Sequence, residues 1–219
     1  MSTRPRLVIV VSVLLSFVLI GSAGAEEKFS KGDLEKLNKG EIVYHTRSSP
    51  EEGILYGVAT EMIATDFERL WSFLTDYSIH DKYFQPVGTR KAYEIVAKGD
   101  DHYTVRKMEV PFMSPQLTLL FHHDKAHRRI TGRMLNAEEL TPELVRSGAV
   151  APKRLDNVHE FWEIENSPFP GDPRLMVTYG LYIDHSLWIP GLIQRRILRS
   201  NVKKVVEIAH DAMATQAKP

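Results

Sequence analysis

Connections of three to five residues decide the architecture of this chain before any helix is considered. Four strand-like runs succeed one another at Thr89–Ala97, His102–Val110, Gln116–His123 and His127–Met134. Only "KGDD", "PFMSP" and "DKA" separate them. A parallel neighbour needs a crossover of about a dozen residues or more, so links this short predict antiparallel pairing.

The flanks extend the pattern. "EIVYHTRS" and "GILYGVATEMIA" read as two strands ahead of a short helix, "TDFERLWSFL". In that helix Thr65 and Glu68 have the spacing of a capping box, and Phe67, Leu70, Trp71 and Leu74 form one stripe. Two further runs, Asn157–Glu165 and Arg174–Asp184, precede a long helical pattern from Ile189 to Met213. Strand and helix do not alternate, so the chain reads as α+β with an antiparallel sheet. Between the strands lies "NAEELTPELVRSGAVAPKRLD", Asn136–Asp156, too long for a hairpin. Thr141 and Pro142 can start a brief helix there that Gly148 ends. Such a segment serves either as a lid or as a plain insertion.

The N-terminus predicts export. Arg4 and Arg6 precede an uncharged apolar run of 14 residues, Leu7–Ile20, and "AGA" closes at Ala25. That run is shorter than the roughly 20 residues of a spanning helix, and small-x-small is a cleavage pattern. Residues 1–25 are therefore expected to be a signal peptide, giving a periplasmic or secreted protein. The remaining 194 residues carry 26 basic and 28 acidic groups and no cysteine. Near-neutral charge speaks against nucleic acid as a partner, and disulfides and thiol catalysis are excluded.

In the long helix Ile193, Ile197, Val205, Ile208 and Ala212 share one arc, and Gln194 and Asn201 fall in the middle of it. Amides on a core-facing arc are costly to bury unpaired. They are inexpensive where the arc faces a cavity holding water or a ligand.

Ala64–Val87, with Trp71, Asp76-Tyr77 and Pro86, and "VTYGLYIDHSLWIPGLIQRRI", Val177–Ile197, together resemble the START-like (SRPBCC) superfamily, which includes polyketide cyclase and coenzyme Q-binding families. The resemblance spans about Gly53–Met213. It implies a helix-grip fold: a curved antiparallel sheet wrapped around the C-terminal helix with an apolar cavity between them. The chain then divides into the signal (1–25), an extension with the first strand (26–52) and the helix-grip domain (53–215). On this reading Trp71, Trp162, Val177, Tyr179, Leu181, Gln194, Ile197, Asn201 and Val205 line the cavity.

Other groups are weaker candidates. Glu160 shares a strand face with Val158, Trp162 and Ile164 and is expected either to act as an acid or to pair with Arg129 or Arg133. His123 and His127 could approach across "FHHDKAH", but no further ligand has metal-site spacing, so neither metal nor cofactor is expected. No hydrolase, zinc-protease, phosphate-loop or dinucleotide motif occurs. Trp188, Ile189 and Leu192 beside Arg195, Arg196 and Arg199 could touch a membrane transiently. The expected function is binding or transport of a lipid or hydrophobic small molecule. The alternative is a cyclase- or hydrolase-like enzyme in the same cavity.

Overall fold

A computed structural model describes residues 29–49, 54–109, 114–152, 155–184 and 191–216, with side chains of the last helix from Arg195 onward. The expected signal peptide, Trp188, Ile189, Leu192, Ile193 and Gln194 lie outside the residues so described.

Helix α1 (Lys31–Asn38) is capped by Ser30, whose hydroxyl accepts from the Asp33 amide. Strands β1 (Val43–Ser49) and β2 (Ile54–Ile63) form a hairpin, followed by α2 (Phe67–Thr75). The short helix α3 (His80–Tyr83) sits between single 3-10 turns at Tyr77–Ile79 and Gln85–Val87. The meander β3 (Thr89–Lys98), β4 (Asp101–Met108), β5 (Gln116–Asp124) and β6 (Arg129–Met134) comes next. Helix α4 (Pro142–Arg146), β7 (Asn157–Asn166), β8 (Leu175–Asp184) and α5 (Gly191–Gln216) complete the chain.

One eight-stranded sheet runs in the order β1-β2-β8-β7-β6-β5-β4-β3, antiparallel at every step. The long-range joint is β2 on β8, registered from Gly57 on Leu181 to Ile63 on Leu175. It brings the first hairpin beside the last strand and curls the sheet around α5. Gly57 permits close approach there, since a Cβ would lie 2.8 Å from Cγ of Leu198 on α5. The main core fills the concave side, where Leu117, Leu119 and Phe121 of β5 and Val177 of β8 meet Val202, Val206 and Ala209 of α5.

Two expectations change in detail. The cap of α2 is Asp66, not Thr65: its carboxylate accepts the Arg69 amide at 2.9 Å. The chain leaves β2 one residue further extended than the capping-box spacing supposes, and a carboxylate also suits the positive end of a helix. Thr65 instead turns its hydroxyl to the Met213 sulfur and the Asp66 carbonyl.

The insertion 136–156 does form the brief helix, capped by Thr141 and ended by Gly148 at φ 104°. Its body packs on the outer face of the sheet. Leu144 and Ala149 cover Tyr103 and Leu120, and Thr118 bonds both the amide and the carbonyl of Val150. Alternation explains the side: Thr118 and Leu120 point opposite to Leu117, Leu119 and Phe121. Among its described residues, Leu155, near its end, reaches the concave side.

Candidate functional site: a cavity under the gripped helix

The inner stripe of α5 serves two neighbourhoods. Val202, Val206, Ala209, Ala212 and Met213 are fully buried in packed core. Nearer the N-terminus, Ile197, Leu198, Asn201 and Val205 face an open cavity of about 140 Å³. That is small beside the roughly 300–1,000 Å³ of drug-sized ligand sites, room for a compact molecule or a few waters. The sheet supplies Leu117, Leu119, Val158, Trp162, Leu181 and Ile183 as walls, and Phe84 and Val87 close one side.

One polar cluster stands in this apolar wall. Glu160 on β7 is 5% exposed and takes Arg106 of β4 at 3.0 and 3.4 Å. Its second oxygen accepts the Tyr179 hydroxyl at 2.7 Å. Burial, and then Glu160 itself, pushes the Tyr179 phenol well above its ordinary range, so Tyr179 stays a donor. A buried carboxylate needs such partners, because desolvating it unpaired would cost several kcal/mol.

Local geometry makes room for the pair. Arg106 must reach past two strands, and its guanidinium lies 5.5 Å over the Phe121 ring. That ring lies over Gly132, where a Cβ would stand 2.5 Å from Phe121 and 3.0 Å from the Glu160 side chain.

The partner of Glu160 therefore differs from both expected arginines. Arg129 and Arg133 alternate with Ile130, Gly132 and Met134 and so point outward. There Arg129 lies near Glu163 and Arg133 bonds Glu139.

A second polar group borders the cavity. His80 on α3 is buried among Phe84 and Tyr77 and points Nε2 at the Leu74 carbonyl, 3.2 Å away. Burial, reinforced by Arg106, lowers its pKa to about 3. Behind it the Tyr77 hydroxyl meets His123 Nε2 at 2.6 Å, and the His102 ring stacks on His123 at 3.9 Å. Burial first, then His102, brings the His123 pKa down to about 4. His123 and His127 do not approach one another: His123 turns inward, while His127 is exposed and bonds Asp124. His123 shares the inward face of β5 with Leu119 and Phe121, whereas His127 lies in the exposed turn beyond that strand. Among the described residues no group of three or more His, Asp or Glu is arranged to hold a metal ion.

Of the residues expected to line a cavity, the structure brings Trp162, Tyr179, Leu181, Ile197, Asn201 and Val205 together around it. Trp71 and Val177 stand elsewhere. Trp71 packs edge-on to His123 and beside Phe67, and Val177 is fully buried at the solid end of the sheet. Both belong to the packed core rather than to the cavity wall. Gln194 falls outside the described side chains.

Sequence reasoning passed over Arg106 and His80. On β4 both faces mix polar and apolar residues (Thr104, Arg106 and Met108 against Tyr103, Val105 and Lys107), so no alternation marked the inward side.

Comparison with known proteins gives the fold. No family model matches the chain. No curated protein matches it either. Among solved structures, a STAR-related lipid transfer protein from Xanthomonas axonopodis superposes with TM-score 0.58 at 14% identity, over 79% of this chain and 93% of that one. A START superfamily protein from Mycobacterium smegmatis gives 0.57 at 10% identity, over 73% and 97%. The Zhui aromatase/cyclase from Streptomyces gives 0.51 at 16%, over 80% and 94%. The chain has the START-like helix-grip fold, as the family resemblance implied.

Proposed function

We propose that this protein is an exported carrier that binds a lipid or hydrophobic small molecule in the cavity under α5. The observation that carries the reading is a largely apolar void in whose wall the one buried carboxylate, Glu160, is already paired. Arg106, Glu160 and Tyr179 answer one another's charge and hydrogen bonds, which suits holding a cargo better than attacking it. The fold agrees, being shared with a protein named for lipid transfer. Export rests on the residues at 1–25, and delivery at a membrane rests on exposed Arg195, Arg196 and Arg199 at the start of α5.

The enzyme reading keeps one specific support. Glu160, Tyr179 and Asn201 do border one cavity, and the fold is also that of an aromatase/cyclase.

The test is native mass spectrometry of protein recovered from the periplasmic fraction, followed by organic extraction and N-terminal sequencing. A co-purifying apolar molecule released unchanged, on a chain beginning at Glu26, supports the carrier. Turnover of that molecule on incubation supports the enzyme. Failure of any apolar fluorescent probe to bind the folded protein would reject both.

A further inference from the structure

We propose that the groove between the insertion 136–156 and the outer face of the sheet is a second binding site, for a compact carboxylic acid with an apolar body. It lies across the sheet from the cavity under α5 and stands apart from the carrier reading.

Alternation along β4 and β5 builds the floor. Tyr103 and Leu120 point away from the concave side, and Leu135 and Leu144 pack against them, so the groove has an apolar base. Its volume is about 410 Å³, within the roughly 300–1,000 Å³ of small-molecule sites.

The rim is basic. Lys98 from the end of β3, Arg133 from β6 and Arg146 from α4 line it together with two carboxylates, Glu139 and Glu143. Glu143 takes Lys98 at 3.2 Å, and Glu139 takes Arg133 at 2.7 Å. Both acids are thus answered, and one positive charge is left over. That charge is Arg146, which has no hydrogen-bond or ion-pair partner among the described residues. It is not needed to finish α4 either: the amides of Ser147, Gly148 and Ala149 already return to carbonyls of that helix.

The uncommitted hydrogen-bonding groups can donate as well. The Tyr103 hydroxyl bonds none of the described residues. Thr141 accepts the Leu144 amide at 3.3 Å, which leaves its own proton free.

Surplus positive charge and free donors select the head of a ligand. A carboxylate accepts at both oxygens, and the fork of Arg146 matches it. A neutral amide answers the donors but not the charge. An ammonium adds to the charge. A phosphate monoester brings close to two negative charges, where one is to be answered, beside Glu139 and Glu143.

The test titrates four probes on one skeleton into the intact protein, followed by methyl NMR: cyclohexanecarboxylate, cyclohexanecarboxamide, cyclohexylmethylammonium and cyclohexyl phosphate. On β5, Leu120 reports the groove, while Leu117 and Leu119 on the other face report the cavity. The carboxylate should shift Leu120, Leu135 and Leu144 saturably and bind about fivefold tighter than the amide, as an exposed ion pair allows. The ammonium and the phosphate should bind more weakly than the carboxylate. Arg146 is exposed, so Arg146→Met should leave the Leu117 and Leu119 signals in place, which reports folding, and should remove the carboxylate's advantage. Equal binding of carboxylate and amide, tightest binding of the phosphate, or an advantage that survives Arg146→Met overturns the proposal. So does the absence of any shift in the groove. Shifts confined to Leu117 and Leu119 overturn it too, and assign the acid to the cavity, in favour of the carrier. Should the variant not fold, the probe series on the unaltered protein decides.

Discussion

The two halves of α5 face the same sheet with the same kind of stripe, yet one packs solid and the other leaves a void. Toward the C-terminus, Ala209, Ala212 and Met213 lie against the region of α2, and the contacts are fixed by polar pins. Arg69 donates to the Met213 carbonyl at 2.8 Å, and buried Glu61 on β2 pairs with His210 at 2.6 Å. Small side chains bring that end of the helix close to the sheet. Toward the N-terminus, Ile197, Asn201 and Val205 look across to Leu117, Trp162 and the Arg106–Glu160 pair without touching all of them. A gripped helix can thus be anchored at one end and hold a space open at the other. The fold's stability and its capacity for a ligand are carried by different residues.

The largest effect should come from leaving the hollow end's charge unpaired. Arg106→Met is expected to cost about 3–5 kcal/mol by denaturant unfolding, as loss of one partner of a buried ion pair does. The double variant Arg106→Met with Glu160→Met should recover most of that loss. No recovery would show that packing around Phe121, rather than the unpaired charge, set the cost.

A matched pair of enlargements tests the contrast directly. Ala209→Leu at the solid end should lose about 1–3 kcal/mol, the usual result of overfilling a packed core. Ile197→Trp at the hollow end should lose less than about 1 kcal/mol and abolish binding of an apolar fluorescent probe. Equal losses at the two sites would remove the distinction between the halves.

Asn201→Leu should change unfolding stability by less than about 1 kcal/mol, the net worth of one hydrogen bond, because the amide faces the cavity. A larger loss, measured on ligand-free protein, would make Asn201 a structural amide instead.

The last expected effect is a pH dependence. The folded protein resists protonating His123, whose pKa is about 4 against 6.5 for the free side chain. A depressed pKa contributes stability that is present above the unfolded value and is lost as pH falls toward the folded one. His123→Gln can keep a hydrogen bond to Tyr77 and does not titrate. The difference in stability between pH 6.5 and 4 should therefore be smaller in the variant than in the parent, measured as unfolding midpoints. An unchanged difference would locate the pH sensitivity in other groups.

The architecture was legible in the residues because local rules produce it. Short links forced antiparallel neighbours, period-two runs marked each strand within one or two positions, and Thr141, Pro142 and Gly148 punctuated α4 as they stand in the sequence. The candidate site was legible only in part. Tyr179, Leu181 and Trp162 reveal themselves by alternating on apolar strands, and Asn201 by interrupting a helical stripe.

What the chain alone determined is therefore the strands and the helices α2, α4 and α5, though not α1 or α3, that the strands pair antiparallel, and which faces of β7, β8 and α5 turn inward. These follow from periodicity, which each segment carries within itself. The tertiary structure decided where the core stops and the cavity begins, that Trp71 and Val177 belong to the first and Ile197 to the second, and that Glu160 meets Arg106 rather than Arg129 or Arg133. It also decided that His80 borders the cavity at all. Those outcomes depend on how far the sheet curls and how closely each turn of α5 approaches it. Both are set by contacts between residues such as Gly57 and Leu198, or Gly132 and Phe121, that lie far apart or on different strands. Spacing along a single segment does not encode such distances.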